Sequence, residues 1–316
     1  MNVTMIGCGR WGSLIAWYLD SIGHTVSMYG RPSSAHMARF LAERKNDLLT
    51  LPESVHLYTD LGEMPQVDTV LISVGAQSLR TVLKSLAFLR DKTVVLCMKG
   101  IEETTGKRLS QVAREELHPS NRIAVWLGPG HVQDFYHGIP NCMVIDSEDD
   151  AVKDTLITNF SGPLIRFYYG DDLIGNEIGG AAKNVIGIAA GVLDGMQLST
   201  LKGALMSRGT REVARLIAAA GGNELSAYGL CHLGDYEATL FSPYSHNRAY
   251  GESLITGTPF EKLAEGHATA KALMTMAQTL DVELPIIGAV YSVLYEGVDP
   301  KVAIGKLFER AQKAEF

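Results

Sequence analysis

Lys183 and Asn184 interrupt a stretch of the chain that is otherwise apolar or built from small residues. Residues 174–193 predict one long helix with no polar face, and a helix of that kind is usually buried. Burial disfavours the charged form of a lysine, which brings it toward a range where it can exchange protons near neutral pH. The alternative is a lysine whose stem lies on apolar surface while its ammonium reaches water. The glycines and alanines around it leave room for another backbone or a ligand to approach closely.

A glycine-rich turn near the start of the chain is the second candidate site. Gly7, Gly9 and Gly12 follow a strand-type run over residues 3–6 and precede a helical pattern over 13–20. In the GxGxxG motif the first glycine permits a tight turn, the second lets a pyrophosphate reach the backbone, and the third allows close helix–strand packing. The N-terminus of the helix then faces the phosphates. The motif therefore predicts a dinucleotide site, and the alternative is a structural glycine turn.

The end of the second strand bears on which dinucleotide is bound. Residues 25–29 form this strand, and no carboxylate follows it to hold a ribose 2′-hydroxyl. Instead Arg31 is followed by Ser33 and Ser34, which suit a 2′-phosphate. We expect the protein to prefer NADPH over NADH, and NAD remains the alternative cofactor. The alternative role for Arg31 is that of a solvated loop cation.

Strand and helix patterns alternate as far as residue 169, and only helical patterns follow. This predicts an α/β fold: an N-terminal Rossmann-like doubly wound parallel sheet over residues 1–173, then an all-α domain over 174–316. Ligands of such sheets bind at the carboxyl ends of the strands. Lys99 follows the strand over 93–97, and the loop 127–131 follows the strand over 123–126. A lone loop lysine is usually solvated, but this position places Lys99 at the nicotinamide end of a cofactor.

Composition excludes several functional classes. The net charge of −7 gives no general attraction for nucleic acid. The four cysteines have no CxxC spacing and the nine histidines no metal-ligand spacing, so we expect reduced thiols and no metal site. The first residues show no basic segment followed by an apolar one, so we expect no secretory signal. The longest apolar run, 185–193, is too short to span a bilayer. We expect a cytoplasmic protein without membrane insertion.

One polar segment stands out in the second half, over residues 229–248. Glycines flank Asp235, and Ser245, His246, Asn247 and Arg248 follow a proline. The combination could bind hydroxyls and a phosphate, whereas the local pattern alone favours a long capped loop.

Taken in order, these motifs resemble the bacterial-type NAD(P)-dependent glycerol-3-phosphate dehydrogenases over essentially the whole chain. The matching pieces are GxGxWG at 7–12, KGIE at 99–102, GP at 128–129, ExxGAxKN at 177–184, SRG at 207–209, GLxxxGD at 229–235, SxNRxxG at 245–251, EG at 265–266, and the segment 283–297. So many motifs in one order are far more specific than any one of them.

The resemblance implies hydride transfer between a nicotinamide cofactor and C2 of dihydroxyacetone phosphate or sn-glycerol 3-phosphate, feeding phospholipid synthesis. It implies Lys183 as the proton donor and acceptor, with Lys99, Asn184 and Asp235 as further catalytic residues. The substrate-binding residues that it implies are Lys99, Gly128, Gly130, Asp235, Thr239, Ser245, His246 and Asn247. The implied cofactor contacts are Gly7, Gly9, Arg10, Trp11, Gly12, Arg31, Lys99, Val132, His246 and Glu265. It also implies a homodimer.

Three departures from the family pattern fall where the substrate is expected. Gly130 and His131 replace the usual Ser-Phe or Thr-Phe pair, which removes a hydroxyl. His246 replaces an arginine, and a neutral histidine does not reproduce a bidentate arginine–phosphate contact. The stretch 196–201 lacks the usual glycine-rich run and asparagine. Two other hypotheses therefore stay open: a dehydrogenase of this architecture acting on another small 2-oxo or 2-hydroxy substrate, and a nucleotide-binding protein without turnover.

Overall fold

The computed structural model describes residues 1–312 and 314–315, and the chain forms two compact units. The first unit comprises Met1–Lys99 and Arg108–Glu177, and the second comprises Gly100–Lys107 and the chain from Ile178 onward. No helix within the described residues has the length and hydropathy needed to cross a membrane. Nor do His, Cys, Asp and Glu side chains of these residues form a group of three suited to a metal ion.

A single sheet of eight strands forms the centre of the first unit. The strands are β1 (Asn2–Ile6), β2 (Thr25–Tyr29), β3 (His56–Tyr58), β4 (Thr69–Ile72), β5 (Thr93–Leu96), β6 (Arg122–Leu127), β7 (Asn141–Ser147) and β8 (Ile165–Tyr169). Their order is β3-β2-β1-β4-β5-β6-β7-β8. Every residue of β4, and every residue of β1 after Asn2, is buried, as expected for strands covered on both faces.

Six helices connect and cover these strands. They are α1 (Arg10–Ser21), α2 (Ala35–Glu43), α3 (Leu79–Ser85), α4 (Leu109–Glu116), α5 (Val132–Tyr136) and α6 (Asp150–Phe160). Side chains of α1 and α6 pack with the sheet in one core, which includes Tyr18, Trp126 and Phe160. The Tyr18 hydroxyl donates to the Phe160 carbonyl at 2.7 Å, so this deep polar group is satisfied.

The predicted Rossmann-like architecture is confirmed, with corrections in detail. The sheet is not wholly parallel, because β7 runs antiparallel to β6. A buried strand has the same apolar pattern in either direction, so its sequence does not reveal this reversal. The sequence also failed to predict β3, α4 and α5. β3 and α5 are only three and five residues long, and α4 is strongly polar on its outer face.

The second unit is helical, as predicted. Its helices are α7 (Leu173–Gly195), which begins in the first unit, α8 (Lys202–Ala219), α9 (His246–Thr256), α10 (Glu265–Thr279), α11 (Pro285–Tyr295) and α12 (Pro300–Phe308). Between 178 and 188 every residue of α7 is buried, which confirms the expectation for a helix without a polar face.

The sequence left open whether the small residues of α7 make room for another backbone or for a ligand. At Gly191 it is the backbone of α9 that approaches. A Cβ on Gly191 would lie 1.8 Å from the Arg248 carbonyl oxygen of α9. In the reverse direction, a Cβ on Gly251 would lie 2.0 Å from the Ile188 carbonyl oxygen. Neither glycine can therefore be replaced without moving one of these two helices.

One prediction in the second half needs correction. The segment 229–248, which local pattern favoured as a loop, contains a 3-10 turn (Leu233–Asp235), a π-helix (Glu237–Phe241) and the start of α9. A π-helical turn is rare and is frequently found at functional sites, so this correction bears directly on the candidate site.

Candidate active site

The glycine loop after β1 has the geometry that its motif predicts. Gly7 has a φ of +112°, and a Cβ there would lie 2.1 Å from the Ser73 carbonyl oxygen. A Cβ on Gly12 would lie 2.3 Å from the Gly7 carbonyl oxygen, which is the close helix–strand packing expected of the third glycine. Gly9, the N-cap of α1, has open space in front of its α-carbon. Because Gly9 gives α1 no side-chain cap, the N-terminus of this helix can face a group from outside the chain, which fits a dinucleotide pyrophosphate.

Arg10 and Trp11 extend from this loop toward α5. The Arg10 guanidinium donates to Gln133 Oε1 at 3.4 Å, and the rings of Trp11 and Phe135 lie 5.9 Å apart. Val132, at the first position of α5, is buried. The structure therefore brings together the cofactor residues predicted around the glycine loop and those at the start of α5.

The turn after β2 presents Arg31 at the surface. Arg31 and Ser33 are exposed, whereas the Ser34 hydroxyl caps α2 by accepting from the Met37 amide at 3.3 Å. Of the two serines considered for a 2′-phosphate, Ser34 therefore already has a structural role.

Lys99 and the loop after β6 meet at the carboxyl end of the sheet. The Lys99 ammonium donates to the Gly128 carbonyl oxygen at 2.6 Å. Gly130 has a φ of +135°, and a Cβ there would lie 2.3 Å from the Phe135 ring. The backbone at this position thus requires glycine, which explains why a hydroxyl-bearing residue is absent. The neighbouring His131 is the N-cap residue of α5.

In the second unit, Lys183 is the centre of a buried polar cluster. Its Nζ lies 2.8 Å from Asp235 Oδ2 and donates to Thr239 Oγ1 at 2.7 Å. Thr239 Oγ1 in turn donates to the Asp235 carbonyl oxygen at 2.7 Å. The relative exposures of Lys183, Asp235 and Thr239 are 8%, 1% and 2%. A lysine that is held in this way does not extend its ammonium into bulk water. The alternative of a solvated ammonium on an apolar stem is therefore rejected for Lys183.

Asn184, the next residue on α7, belongs to an adjacent amide network. Asn247 Nδ2 donates to Asn184 Oδ1 at 3.0 Å, and Asn247 Oδ1 accepts from the Gly266 amide at 2.9 Å. These bonds link α7, α9 and the first turn of α10. The two asparagines therefore have fixed orientations beside the lysine cluster.

The remaining predicted residues lie at the N-termini of α9 and α10. Ser245 is the N-cap of α9 and accepts from the Arg248 amide at 3.3 Å. His246 Nδ1 lies 3.2 Å from the Leu263 carbonyl oxygen, and Glu265 is the first residue of α10. Arg248, which completes the polar cluster of the sequence, forms an ion pair with Asp194 at 2.9 Å. The positive charge of Arg248 is thus partly neutralised by Asp194.

Sequence reasoning missed a buried carboxylate in the first unit. Glu177 is 5% exposed and pairs with Arg108 Nη1 at 2.6 Å. It also accepts from the amide and the hydroxyl of Ser110 at 2.8 and 2.5 Å. Burial raises the pKa of Glu177, against the opposing effect of the Arg108 charge. Glu177 lies in a recognised motif, but its partners are 67–69 residues away in sequence, so no local signal identifies them.

His232 and Tyr236 were also missed, although they lie beside Asp235. Both have 0% exposure, and the Tyr236 hydroxyl lies 2.7 Å from His232 Nε2. Burial lowers the pKa of His232 to about 4, and the nearby Lys183 charge acts in the same direction. A histidine in a polar segment is usually exposed, so the sequence alone does not predict that His232 is buried and bonded to Tyr236.

The arrangement in the second unit is suited to proton transfer. A buried carboxylate beside a lysine stabilises the ammonium form, and an ammonium at the edge of a protected site can give its proton to an oxygen that gains charge. The fixed amides of Asn184 and Asn247 can orient a hydroxylated or carbonyl-bearing molecule next to it.

Comparison with known proteins agrees with this geometry. The profile of the NAD-dependent glycerol-3-phosphate dehydrogenase N-terminus matches residues 2–153, and that of the C-terminus matches residues 172–305. A glycerol-3-phosphate dehydrogenase (NAD(P)+) of Desulfitobacterium hafniense is 35% identical, over 100% of this chain and 93% of the relative. One from Clostridium botulinum is 34% identical, over 100% of this chain and 99% of the relative.

A solved structure supports the same family assignment. The crystal structure of glycerol-3-phosphate dehydrogenase from Coxiella burnetii is 28% identical and superposes with a TM-score of 0.91. The match covers 98% of this chain and 99% of that one. The resemblance indicated by the sequence motifs is confirmed: the chain belongs to the NAD-dependent glycerol-3-phosphate dehydrogenase family.

Proposed function

We propose that this protein interconverts dihydroxyacetone phosphate and sn-glycerol 3-phosphate with a nicotinamide cofactor. The observation that carries the proposal is the buried Lys183 ammonium, held by Asp235 at 2.8 Å and by Thr239 at 2.7 Å in a chain of this family. Such a group supplies the one component of ketone reduction that a hydride donor lacks, namely an acid for the oxygen.

In the reductive direction, a nicotinamide cofactor would, when bound, supply the hydride that C2 of the ketone accepts. Lys183 donates a proton to the ketone oxygen, so hydride and proton together convert the C=O group into CH–OH. Asp235 stabilises the ammonium before the transfer, and Thr239 fixes its direction. In the reverse reaction, the neutral amine of Lys183 accepts the hydroxyl proton.

The glycine loop of the first unit is proposed to bind the dinucleotide. Gly7, Gly9 and Gly12 would hold the pyrophosphate, because Gly9 leaves its face of the loop open. The other proposed cofactor contacts are Arg10, Trp11, Arg31, Lys99, Val132, His246 and Glu265. NADPH is the proposed preference, supported by the exposed Arg31 and by the absence of a carboxylate from residues 30–34.

Substrate binding is proposed for several polar groups of the chain. Lys99 would contact the substrate with its ammonium, and Asn184 and Asn247 would orient the carbonyl through their amides. The other proposed contacts are Gly128, Gly130, Asp235, Thr239, Ser245 and His246.

A second candidate function keeps the redox chemistry and changes the substrate. It is favoured by Gly130, whose backbone excludes a side chain, and by His246, which offers no bidentate fork to a phosphate. The protein would then reduce another small 2-oxo compound. A nucleotide-binding protein without turnover ranks last, since it gives no role to a buried lysine–aspartate pair.

An assay of the purified protein separates these candidates. NADH and NADPH are each crossed with dihydroxyacetone phosphate, unphosphorylated dihydroxyacetone and a 2-oxo carboxylate, and oxidation of the cofactor is followed by absorbance. The highest kcat/KM is expected for dihydroxyacetone phosphate with NADPH. A clear preference for the carboxylate would establish the second candidate, and no turnover with any pair would support the third.

The cellular setting is proposed from the family. The protein would act in the cytoplasm as a homodimer, and its sn-glycerol 3-phosphate would feed phospholipid synthesis. Light scattering at several protein concentrations tests the oligomeric state, and a monomer throughout would reject the dimer.

A further inference from the structure

The imidazole of His232 joins the helix that carries Lys183 to the turn that carries Asp235. His232 Nδ1 lies 2.8 Å from the Gly179 carbonyl oxygen of α7, one helical turn before Lys183. The Asp235 amide donates to the His232 carbonyl oxygen at 3.0 Å. One residue is therefore bonded to both elements whose side chains form the lysine–aspartate pair.

These contacts determine the protonation of the ring. A carbonyl oxygen only accepts, so Nδ1 must carry the hydrogen that is donated to Gly179. In the neutral ring, Nε2 then accepts from the Tyr236 hydroxyl at 2.7 Å. This hydroxyl can itself accept from Thr210 Oγ1 at 3.5 Å. Burial lowers the pKa of His232 to about 4 and raises that of Tyr236, so both groups are neutral in the ordinary working range.

Gly179 is adapted to this contact. A Cβ at this position would lie 3.0 Å from the His232 Cβ, which is closer than side chains normally pack. The absence of a side chain thus lets the histidine approach α7 and reach the backbone carbonyl. The glycine that the sequence presented only as a small helix residue has a specific partner.

We propose that His232 is a positioning residue, which fixes the Asp235 carboxylate against Lys183 through the bond from its ring to α7. This inference rests on the proposed function, in which Lys183 is the proton donor. The titratable groups that face the ring are Lys183, Asp235 and Tyr236. A shift of the turn by about 1 Å would misdirect the ammonium, and misplacement of that size can cost about 100-fold in rate.

Three variants test the proposal by steady-state kinetics across pH. H232L removes both ring bonds, and we expect kcat to fall about 10- to 100-fold with an unchanged KM for the cofactor. The alkaline limb of the kcat profile should move to lower pH, because the ammonium loses its well-placed carboxylate. H232N keeps a donor in the place of Nδ1 and should recover most of kcat. Y236F keeps the histidine but removes the donor to Nε2, and should shift the limb by less.

His24 provides the matched control. It is a half-buried histidine of the first unit whose two ring nitrogens are also bonded, to the Met1 amine at 2.9 Å and to the Asn159 carbonyl at 2.8 Å. H24N should lower stability without moving the pH profile. A folded H232L with the wild-type kcat and profile would overturn the proposal. If H232L does not fold, an unchanged profile in folded Y236F would overturn it.

Nuclear magnetic resonance separates this proposal from the proposed function. In protein labelled with ¹⁵N-histidine, the signals absent from H232N should show a neutral ring protonated at Nδ1 that does not titrate between about pH 5 and 9. A ring protonated at Nε2, or one that titrates near its ordinary value, would refute the positioning role. If the wild type does not reduce dihydroxyacetone phosphate, the proposed function fails, whereas this spectrum still tests the geometry of His232.

Discussion

Replacing Lys183 by methionine should separate its chemical role from its structural one. Methionine keeps most of the side-chain volume but cannot donate a proton. General acid catalysis by a positioned group contributes about 10²- to 10⁴-fold, so kcat should fall by this factor while cofactor affinity is little changed. The same change leaves Asp235, which is 1% exposed, without its ammonium. Breaking a buried pair in this way costs about 3–5 kcal/mol in the free energy of unfolding.

A second substitution distinguishes the two losses. In the double variant K183M/D235N the uncompensated carboxylate is gone, so the free energy of unfolding should recover by a few kcal/mol, as expected when a buried charge is removed. The lost activity should not return, because no proton donor has been restored.

Lys202 offers a matched control for this experiment. It is 6% exposed and pairs with Asp194 at 2.6 Å, but it has no proposed role in catalysis. K202M should therefore lose stability and keep its kcat.

The assay combines steady-state kinetics with dihydroxyacetone phosphate, cofactor titration followed by fluorescence, and denaturant titration of all variants. The reasoning would be refuted if K183M kept a tenth or more of the wild-type kcat, or if K183M/D235N regained activity. It would also be refuted if K202M lost kcat as severely as K183M.

Three further predictions concern stability and cofactor choice. Burial raises the pKa of Glu212 from 4.5 to about 7, so between these pH values the folded chain binds more protons than the unfolded chain. The free energy of unfolding should therefore fall by about 3 kcal/mol as pH rises through this window, and E212Q should flatten that slope in denaturant titrations; an equal slope in both proteins would contradict this. G191A places a Cβ 1.8 Å from the Arg248 carbonyl oxygen and should destabilise the protein by more than about 2 kcal/mol, since rigid backbone must move. In G203A the new Cβ meets nothing within 4 Å, so this change should stabilise the protein by up to about 1 kcal/mol. Thermal melts measure both variants, and an equal effect of the two changes would reject the packing argument. R31A should raise the KM for NADPH and leave that for NADH unchanged, whereas equal changes would reject the assignment to a 2′-phosphate.

The elements that place the cofactor loop could be predicted because their signals are local. Strand, glycine turn and helix are adjacent in sequence. Gly7 and Gly12 have the close contacts, and Gly9 the open space, that their positions in the motif demand. Similarly, the burial of α7 followed from a run without a polar face. The direction of β7 could not be predicted, because its apolar pattern is the same whether it pairs parallel or antiparallel with β6.

The contacts within the candidate site join residues that are far apart in sequence, so local signals do not predict them. Lys183 could be singled out because its surroundings in sequence are apolar, but Asp235 and Thr239 reach it from 52 and 56 residues away. Family motifs indicated these partners, whereas spacing alone did not. His232 had no such signal, since its burial depends on a glycine 53 residues earlier that lets it approach α7. Long-range packing of this kind is fixed by tertiary structure rather than by local propensity.

The most direct test of the central claim is the reaction of the wild-type protein with dihydroxyacetone phosphate and NADPH, with the product identified by its configuration. The account predicts that each NADPH oxidised yields one molecule of sn-glycerol 3-phosphate, and that K183M yields almost none. NADPH oxidation that leaves dihydroxyacetone phosphate unchanged, or an equal rate in K183M, would contradict it.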